Sequence, residues 1–430
     1  MNPITRELFS FIEKSPTSFH AVENARQALD EAGFKPLLES RPWSLTPGQG
    51  YYVVRNQSSL IAFRLPETIT GFMVGAAHTD SPCLKLKENM ELHLEGYTKL
   101  DVEKYGGMLV YPWLDRPLSV AGRLMVRSAQ GVVSRLVNLD RDLLVIPSLA
   151  IHMDRSANEA KKWDAQTDLL PLLGKDSQKL LPLVAQQAGI SPEDILAFDL
   201  FVYNRDRGTV LGPNEEWILC PRLDDLQCVF GLLQGFLRAQ QPKSMPVLAL
   251  FDNEEVGSET RQGAMSTFLL DTLRRICLAQ NMDEAAYLRC VSQSLMVSAD
   301  NAHGLHPNHP EKAALTNRPK LGEGVVIKYG ARYATDGPSA ALLRHILRQK
   351  EIPEQAYFNH SNVPGGGTLG NISGTQVSMH TVDIGMAQLA MHSACETAGT
   401  ADTESLIRAM EACFSARVLE LGPESFAIDL

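Results

Sequence analysis

The carboxyl half of this chain alternates short apolar runs with longer amphipathic stretches. Strands are predicted at residues 246–251, 295–299 and 324–328, and helices at residues 226–239, 336–349 and 402–418. Alternating strands and helices usually fold into a sheet of mostly parallel strands with helices packed on its faces. The sequence therefore predicts an α/β protein whose mostly parallel central sheet is flanked by helices.

The amino-terminal region adds further elements. Residues 5–33 have a helical pattern that breaks at the SPTS segment. The segment YYVVRNQSSLIAFRL predicts two strands around an Asn/Ser turn, and TGFMVGAAHTD predicts a third strand that ends near His78. A histidine therefore lies at the end of an apolar strand.

Five separated segments each offer one side chain that can bind a metal ion. These are His78 in AAHTDSP, Asp224 in PRLDD, Glu255 in DNEEVGS, Asp300 in SADNAH and His392 in QLAMHSA. Against two divalent cations, three carboxylates and two neutral imidazoles leave a residual positive charge, which favours deprotonation of a bound water near neutral pH. One carboxylate must bridge the two ions. This ligand set suits zinc and also tolerates cobalt or manganese.

Asp80 follows His78 by two residues. In extended backbone such residues point to the same side, so Asp80 can accept a hydrogen bond from His78 and fix the tautomer of its ring. Taken alone, the tripeptide is equally compatible with a solvated aspartate and a core histidine at a strand end.

The adjacent carboxylates Glu254 and Glu255 follow the apolar run MPVLALF. This places them at the carboxyl end of a predicted strand, where α/β sheets usually build their sites. Neighbouring residues cannot easily face one metal ion together. We therefore expect Glu255 to bind the ion and Glu254 to act on the water as general base. A solvated acidic turn is the alternative.

Two other candidate ligands have alternative roles. Asp224 and Asp225 stand directly before an apolar stretch, so either can cap a helix, and both roles can hold. Asp300 closes another apolar run and is followed by the three histidines of AHGLHPNHP. Those histidines could suggest a further metal site, but the two prolines of HPNHP exclude a helix and favour histidines in a loop.

Residues 92–219 have a different pattern from the rest of the chain. They contain alternating strands such as RLMVRS and GVVSRLV, a polar helical stretch near residues 154–190, and none of the five candidate ligands. A chain of 430 residues is also too long for one typical core. We therefore predict a β-rich domain at 92–219, inserted into a metal-binding catalytic domain made of residues 1–91 and 220–430.

The motifs occur in the order HTDSPCLKLK, PRLDD, DNEEVGSETRQGA, SADNAHGLHPN, GGGTLG and AMHS. In this order they resemble the M18 family of metallo-aminopeptidases, and the similarity runs from FIEKSPTSFHAV to AMHSACE, essentially the whole chain. The resemblance implies that Asp224 bridges two metal ions, that His78 and Asp300 complete one, and that Glu255 and His392 complete the other. It also places Glu254 as general base and implies that the inserted domain mediates dimer contacts.

The resemblance implies three further roles. Lys328, in GVVIK, would meet the acidic side chain of a substrate, and Tyr333, in RYAT, would polarise the scissile carbonyl or hold the oxyanion. His152, in LAIHMDR, would reach the active site of a neighbouring subunit, in a dodecamer assembled from dimers. Without the resemblance, an exposed edge-strand lysine, a packed tyrosine and a surface or core histidine would be preferred.

The sequence departs from the family pattern at one loop. Family members often read PxGSTIGP where this chain reads PGGGTLGN, so Gly367 and Asn371 replace the usual serine and proline. Glycine still lets backbone N–H groups approach a substrate because it removes the steric barrier. The detail of the substrate pocket is what this departure puts in doubt.

Charge and cysteine usage restrict the partners. The net charge of −10 disfavours nucleic-acid binding. The amino terminus has no secretory pattern, and no apolar segment is long enough to span a membrane. Seven cysteines without CxxC spacing fit a reduced cytoplasm. The expected partners are peptide substrates and further copies of the chain.

The predicted activity is release of the amino-terminal residue from peptides, with a preference for Asp or Glu. A broad-specificity aminopeptidase of the same family, or a related di-zinc deacylase or carboxypeptidase, would use the same ligands and base. A metal-binding scaffold without activity leaves Glu254 beside Glu255 unexplained. A purely structural protein would bind no stoichiometric metal.

Overall fold

The computed structural model describes residues 1–430 and contains ten helices and 22 strands. The helices are α1 Pro3–Glu13, α2 Ser18–Glu31, α3 Ala165–Asp168, α4 Leu180–Ala188, α5 Leu223–Arg238, α6 Phe268–Ala279, α7 Glu284–Ser292, α8 Gly337–Gln349, α9 Leu369–Gln376 and α10 Asp402–Ser415. The strands are β1 Lys35–Leu37, β2 Gly50–Arg55, β3 Ser59–Arg64, β4 Phe72–His78, β5 Cys83–Leu94, β6 Tyr97–Tyr105, β7 Leu118–Ser128, β8 Gly131–Asn138, β9 Leu172–Lys175, β10 Ile195–Asn204, β11 Thr209–Leu211, β12 Trp217–Cys220, β13 Met245–Phe251, β14 Leu295–Ala299, β15 Ala302–His303, β16 Val325–Tyr329, β17 Glu354–Phe358, β18 His380–Gly385, β19 Ala387–Leu389, β20 Glu396–Gly399, β21 Arg417–Gly422 and β22 Ser425–Asp429.

The central sheet has nine strands in the order β1-β2-β3-β13-β4-β14-β18-β16-β17. Its middle strands β13, β4, β14 and β18 run parallel. Antiparallel pairs occur on both sides, at β2–β3, β3–β13 and β16–β18. The sheet is therefore mixed, and the expectation of a mostly parallel sheet is not confirmed in that form. One physical reason is that β2 and β3 are joined by a short turn, and only antiparallel neighbours can be joined in that way.

Helices cover both faces of the central sheet. Phe236 of α5 and Phe414 of α10 lie in the larger apolar cluster on one face. Phe268 of α6 and Tyr287 of α7 lie in a second cluster on the other face. Because both faces are covered, β4 is buried along its whole length, which explains its apolar run before the final His78.

Residues 83–204 supply all strands of a second, antiparallel sheet, in the order β8-β7-β10-β5-β6-β9, with its own apolar cluster. Strands β11 and β12 instead join β20, β19 and β15 in a five-stranded sheet. The six-stranded sheet thus begins before the predicted boundary at residue 92 and ends before residue 219. Its role as a separate oligomerisation domain stays a prediction.

Most predicted helices and strands of the carboxyl half are confirmed, with ends that shift by a few residues. Two predicted helices are too long. Helix α10 ends at Ser415 because the alternating segment RVLELG pairs with β22 as a hairpin. Within 154–190 only α3 and α4 are helical, because the segment before Ala165 has no apolar stripe to bury. None of the ten helices is both long and apolar enough to cross a bilayer.

Candidate metal centre

The parallel strands in the middle of the central sheet bring three candidate ligands to one edge. His78 is the last residue of β4, and it lies opposite Phe251, the last residue of β13. Glu255 follows β13 by four residues, and Asp300 directly follows β14. The carboxyl ends of parallel neighbours meet at the same edge, so these side chains converge.

Asp224 lies between the two candidate histidines. Its Oδ1 is 3.3 Å from Nε2 of His78, and its Oδ2 is 3.6 Å from Nε2 of His392. Asp224 and Asp225 have non-helical backbone angles at the start of α5, and neither side chain caps the helix. The N-cap alternative is therefore not what the structure contains, and the carboxylate of Asp224 faces both imidazoles.

The remaining candidates group around this carboxylate. Potential ligand atoms of His78, Asp224, Asp225 and Asp300 lie within 4.8 Å of one another, and so do those of Asp224, Glu255 and His392. A third group combines His78 with Glu254 and Glu255. Asp224 belongs to the first two groups. All five sequence-predicted ligands thus lie in one continuous cluster, together with Asp225, which the sequence reading had not included.

The cluster contains buried oxygen atoms that no protein group satisfies. Oδ1 of Asp224, Oδ1 of Asp225 and Oε1 of Glu255 are buried and accept no hydrogen bond. A buried carboxylate oxygen without a partner is costly unless it pairs with a donor or coordinates a metal ion. Several carboxylates and two imidazoles at this spacing are the donor set that zinc prefers. The residues therefore fit one or more divalent cations.

The pKa shifts of the carboxyl groups in the cluster also favour bound cations. Burial raises the pKa of Glu254 to about 8, although the neighbouring His78 opposes the rise. Burial also holds the pKa of Glu255 and of Asp225 well above their usual range. For Asp224, burial acts in the same direction, but the neighbouring His78 outweighs it and lowers the pKa of Asp224. This many neighbouring carboxyl groups can be ionised at the same time only if positive charge, such as that of a bound cation, lies beside them.

Asp80 supports the cluster through several contacts. Nδ1 of His78 lies 3.1 Å from the backbone carbonyl of Asp80 and 3.4 Å from its carboxylate. The carboxylate of Asp80 also accepts hydrogen bonds from the backbone N–H groups of Glu254 and Glu255, both at 3.2 Å. One residue thus orients the His78 ring and fixes the turn that carries both glutamates. The second contact was not foreseen from the sequence.

One distant and one nearby residue orient His392. Its Nδ1 lies 2.8 Å from the backbone carbonyl of Gly107, which follows β6 of the six-stranded sheet. Its backbone N–H donates to Oε1 of Glu396 at 2.7 Å, and Oε2 of Glu396 accepts from the backbone N–H of Asp224 at 2.9 Å. Glu396 therefore ties two candidate ligands together. Its position in the AMHSACE motif was the only signal that could have suggested it.

Tyr105 also connects the six-stranded sheet to the centre. Its hydroxyl donates to Oδ2 of Asp80 at 2.8 Å and accepts from Nδ2 of Asn253 at 2.9 Å. No spacing in the sequence relates this tyrosine to the candidate ligands. A segment that was expected to lack ligands thus contributes contacts to the residues that surround them.

Lys328 is buried next to the cluster. It is 2% exposed, and its Nζ donates to the backbone carbonyl of Asp300 at 2.6 Å and lies 3.5 Å from Oδ2 of that residue. Strand β16 lies between β18 and β17, so the alternative of an exposed edge-strand lysine does not apply. The ring centroid of Tyr333 is 5.3 Å from Nζ, so both residues share this side of the cluster.

Four other histidines considered in the sequence are not part of the potential metal-binding groups. His152 is exposed in a turn after β8 and belongs to none of the potential metal-binding groups of this chain. His303, His306 and His309 lie at the end of β15 and in the loop that follows, and they belong to none of these groups either. The loop prediction is therefore confirmed for His306 and His309, whereas His303 is the last residue of a short strand.

Comparison with known proteins identifies the family. Residues 11–414 match the family model described as aminopeptidase I zinc metalloprotease (M18). The chain is 40% identical over 410 residues to a probable M18 family aminopeptidase 2 of Clostridium novyi (strain NT), covering 92% of this chain and 95% of that protein. The chain belongs to the M18 family, and it is a zinc metallo-aminopeptidase, a hydrolase that acts on peptides.

Solved structures share the whole fold. The Ape4 chain of a cryo-EM complex of Ape4 and Nbr1 has a TM-score of 0.93 and 34% identity, covering 96% of this chain and 85% of that one. The S. cerevisiae mApe1 dodecamer has a TM-score of 0.85 and 28% identity, covering 96% of each chain. The α/β architecture with several sheets is therefore that of M18 aminopeptidases.

Proposed function

We propose that this enzyme removes an amino-terminal residue, preferably Asp or Glu, from peptides with the help of two zinc ions. The observation that carries this proposal is the position of Asp224, whose two carboxylate oxygens face His78 and His392 separately. One carboxylate between two imidazoles is the arrangement expected of a bridging ligand. Cobalt or manganese could replace zinc at oxygen and nitrogen ligands of this kind.

In this proposal the five ligands divide into two sets that share Asp224. His78 and Asp300 complete one set, and Glu255 and His392 complete the other, in agreement with two of the potential ligand groups. Zinc, when bound here, would supply a Lewis acid and lower the pKa of the attacking water. Asp225 faces the first set, and its Oδ2 accepts from the backbone N–H of His78 at 3.2 Å, so we assign it a supporting role.

Glu254 is the proposed general base. Its backbone N–H is held by Asp80 at 3.2 Å, and it lies beside the ligand Glu255 without belonging to either proposed ligand set, so its carboxyl group can act on water. Its carboxylate would take a proton from water while the water oxygen bonds to the carbonyl carbon of the substrate. It would then return that proton to the amine nitrogen as the C–N bond breaks.

Tyr333 is proposed to stabilise the negative charge that develops on the substrate carbonyl oxygen. Burial raises the pKa of its phenol, so the hydroxyl keeps its proton and can donate a hydrogen bond. Its ring lies beside Nζ of Lys328, which keeps it on the same side of the ligand cluster.

Lys328 is the residue that would favour acidic substrates. Burial acts to lower the pKa of its ammonium group, but Asp300 and other acidic neighbours outweigh burial, and the net shift is upward. The group therefore remains positive at neutral pH. A substrate carboxylate could add a second acidic partner to this charge, whereas an apolar side chain would offer it no partner beyond Asp300. Broad specificity within the family is the alternative.

We further propose that the enzyme is a cytoplasmic homo-oligomer, built from dimers into a dodecamer. The similarity to the mApe1 dodecamer supports this assembly. His152 is exposed in a segment that also presents Leu149, Ile151 and Met153 to solvent. We assign His152 to the active site of a neighbouring subunit. A fully active monomer, measured by light scattering together with turnover, would overturn that assignment.

The test of substrate preference is an assay of aspartyl, glutamyl, leucyl and lysyl reporter substrates in the presence of zinc, cobalt or manganese. We expect the acidic substrates to have the highest kcat/KM. Lys328→Leu should reduce cleavage of aspartyl substrates far more than cleavage of leucyl substrates. Lys320→Leu is a matched control, because Lys320 is exposed and pairs only with Glu323.

Two outcomes would change the proposal. If the wild-type enzyme cleaves leucyl or lysyl reporters better than aspartyl ones, acidic preference must be abandoned, while the metallo-aminopeptidase activity stands. Efficient hydrolysis of N-acylated amino acids without activity on free-amine peptides would favour the deacylase alternative, which uses the same ligands and base.

A further inference from the structure

Asp383 is a fully buried carboxylate in β18 that takes no part in the ligand cluster. Its Oδ2 accepts from the backbone N–H of Ala334 at 2.5 Å, and its Oδ1 accepts from the hydroxyl of Thr368 at 2.7 Å. Its own backbone N–H donates to the hydroxyl of Thr335 at 2.8 Å. Neither oxygen forms an ion pair with a lysine or arginine, so the hydrogen bonds of this carboxylate come from neutral donors.

The donors come from two different loops. Ala334 and Thr335 belong to the loop between β16 and α8, which also carries Tyr333. Thr368 closes the glycine-rich loop that leads into α9. The side chain of Asp383 therefore makes a direct contact with each loop, and the two contacts share one rigid carboxylate. A change in either contact should therefore alter the position of both loops.

The register of the sheet places Asp383 near the proposed substrate side. Strands β16 and β18 pair with Ile327 opposite Ile384, so Lys328 and Asp383 lie one position further along the same antiparallel pair. The carboxylate thus lies behind the three features proposed to contact substrate: Lys328, the Tyr333 loop and the glycine-rich loop.

The position of Gly370 shows independently that there is no room for a further side chain beside this carboxylate. A Cβ atom at this position would lie 2.3 Å from Oδ1 of Asp383 and 2.8 Å from its Cγ. Because a Cβ atom cannot approach a heavy atom so closely, only glycine allows the first turn of α9 to pack directly on the carboxylate. The first turn of α9 and the carboxylate of Asp383 are therefore closely packed against each other.

We propose that Asp383 is a positioning residue that fixes the Tyr333 loop and the glycine-rich loop relative to each other on the substrate side of the enzyme. This inference rests on the proposed role of Tyr333. A displacement of about 1 Å in a group that acts on the transition state can reduce the rate by about 100-fold. Asp383 would thus affect catalysis without touching substrate or metal.

The first test is Asp383→Asn, which keeps the size of the side chain. An amide has one acceptor oxygen, so Ala334 and Thr368 can no longer donate to separate oxygens, and Thr368 can keep a contact only if its hydroxyl reverses to accept from the amide N–H₂ group. We expect kcat/KM to fall roughly 10- to 100-fold, mainly through kcat, because Tyr333 acts in the transition state. Zinc content should be unchanged, which separates this effect from a failure of the ligand assignment.

A double-mutant cycle distinguishes positioning from general stability. Tyr333→Phe should reduce kcat strongly in the wild-type background and much less in the Asp383→Asn background, because the hydroxyl is then already misplaced. Thr368→Val removes only the contact with the glycine-rich loop and should give a smaller loss. This variant also serves if Asp383→Asn does not fold. If Tyr333→Phe alone lowers kcat, additive effects of Tyr333→Phe and Asp383→Asn would overturn the proposal.

Hydrogen exchange gives a readout that does not depend on activity. We expect the amides of residues 330–335 and 365–370 to exchange faster in Asp383→Asn, or in Thr368→Val if the first variant fails to fold, than in the wild type. Unchanged exchange in both loops would also overturn the proposal. If Tyr333→Phe is fully active while exchange accelerates in both loops, the role of Tyr333 fails and the positioning by Asp383 stands.

Discussion

The two histidines of the metal centre are built in different ways. His78 ends a buried strand in the middle of the central sheet, and its side chain is 1% exposed. His392 lies in a loop with a left-handed backbone (φ 65°), and its side chain is 30% exposed. The acceptor that orients the His78 ring lies two residues away, whereas the acceptor for His392 is Gly107, 285 residues away.

We call His78 and Asp300 the inner half of the centre, and Glu255 and His392 the outer half. The inner half follows from local strand geometry, because both residues lie at the ends of neighbouring parallel strands. The outer half also depends on contacts with the six-stranded sheet and with Glu396. We therefore expect changes elsewhere in the fold to alter the geometry of the inner half less than that of the outer half.

The largest effect is expected at Asp224, which both halves share. Asp224→Ala should remove all bound metal and reduce activity to background, because the proposed bridge is lost. Elemental analysis of the folded variant measures the metal content. Asp402→Ala is a suitable control, since Asp402 is equally buried but accepts N–H groups of Gly322 and Gly324 outside the cluster. Full metal content in Asp224→Ala would contradict the shared-ligand assignment.

Glu254 should separate catalysis from metal binding. Glu254→Gln is expected to keep the metal of both halves and to lose on the order of 100-fold or more in kcat, as for a missing general base. The backbone contact with Asp80 is unaffected by this change, so the turn should keep its shape. Metal analysis combined with steady-state kinetics provides the check. Turnover near that of the wild type would assign the base to another residue.

The comparison between the halves is tested directly by the two histidines. His392→Ala should lose the outer ion with little change in Tm, because the side chain is partly exposed. His78→Ala should lose the inner ion and also destabilise the protein by about 1 to 3 kcal/mol, because it leaves a cavity and unpaired carboxylates in the core. Thermal denaturation without added metal compares the two variants. Equal losses of stability would remove the distinction between the halves.

Sequence reasoning was most successful where an argument involves neighbouring residues or the end of a single strand. The His78 and Asp80 spacing, the Glu254 and Glu255 pair and the strand that ends before Asp300 could all be predicted, because each depends on local geometry. The structure confirms that these strands exist and brings the side chains together.

The contacts that the sequence could not predict join distant segments. Tyr105 ends β6 of the six-stranded sheet and Gly107 follows it, and nothing in their spacing relates them to Asp80 or His392. The direction of β16 relative to β18 was missed for a similar reason: an apolar run predicts a strand but not the orientation of its neighbour. Tertiary packing determines both the contacts between distant segments and the relative direction of neighbouring strands.

The smallest effect on catalysis is expected at Glu396, which holds the outer half through the backbone. Its two oxygens accept from the N–H groups of Asp224 and His392, so Glu396→Gln would leave one of these donors facing an amide N–H₂. We expect zinc affinity in the outer half to fall roughly 10- to 100-fold, as for other residues that orient metal ligands, while excess zinc restores most of kcat.

Zinc titration after removal of bound metal, monitored by calorimetry and by activity, measures the two halves separately in Glu396→Gln. The control is Glu354→Gln, because Glu354 pairs with Arg344 at 2.9 Å and contacts none of the candidate ligands. The inner half should keep nearly wild-type affinity, since Asp80 and not Glu396 orients His78. Equal weakening of both halves would mean that Glu396 acts mainly through Asp224, and the outer half would then be no more dependent on distant contacts than the inner one.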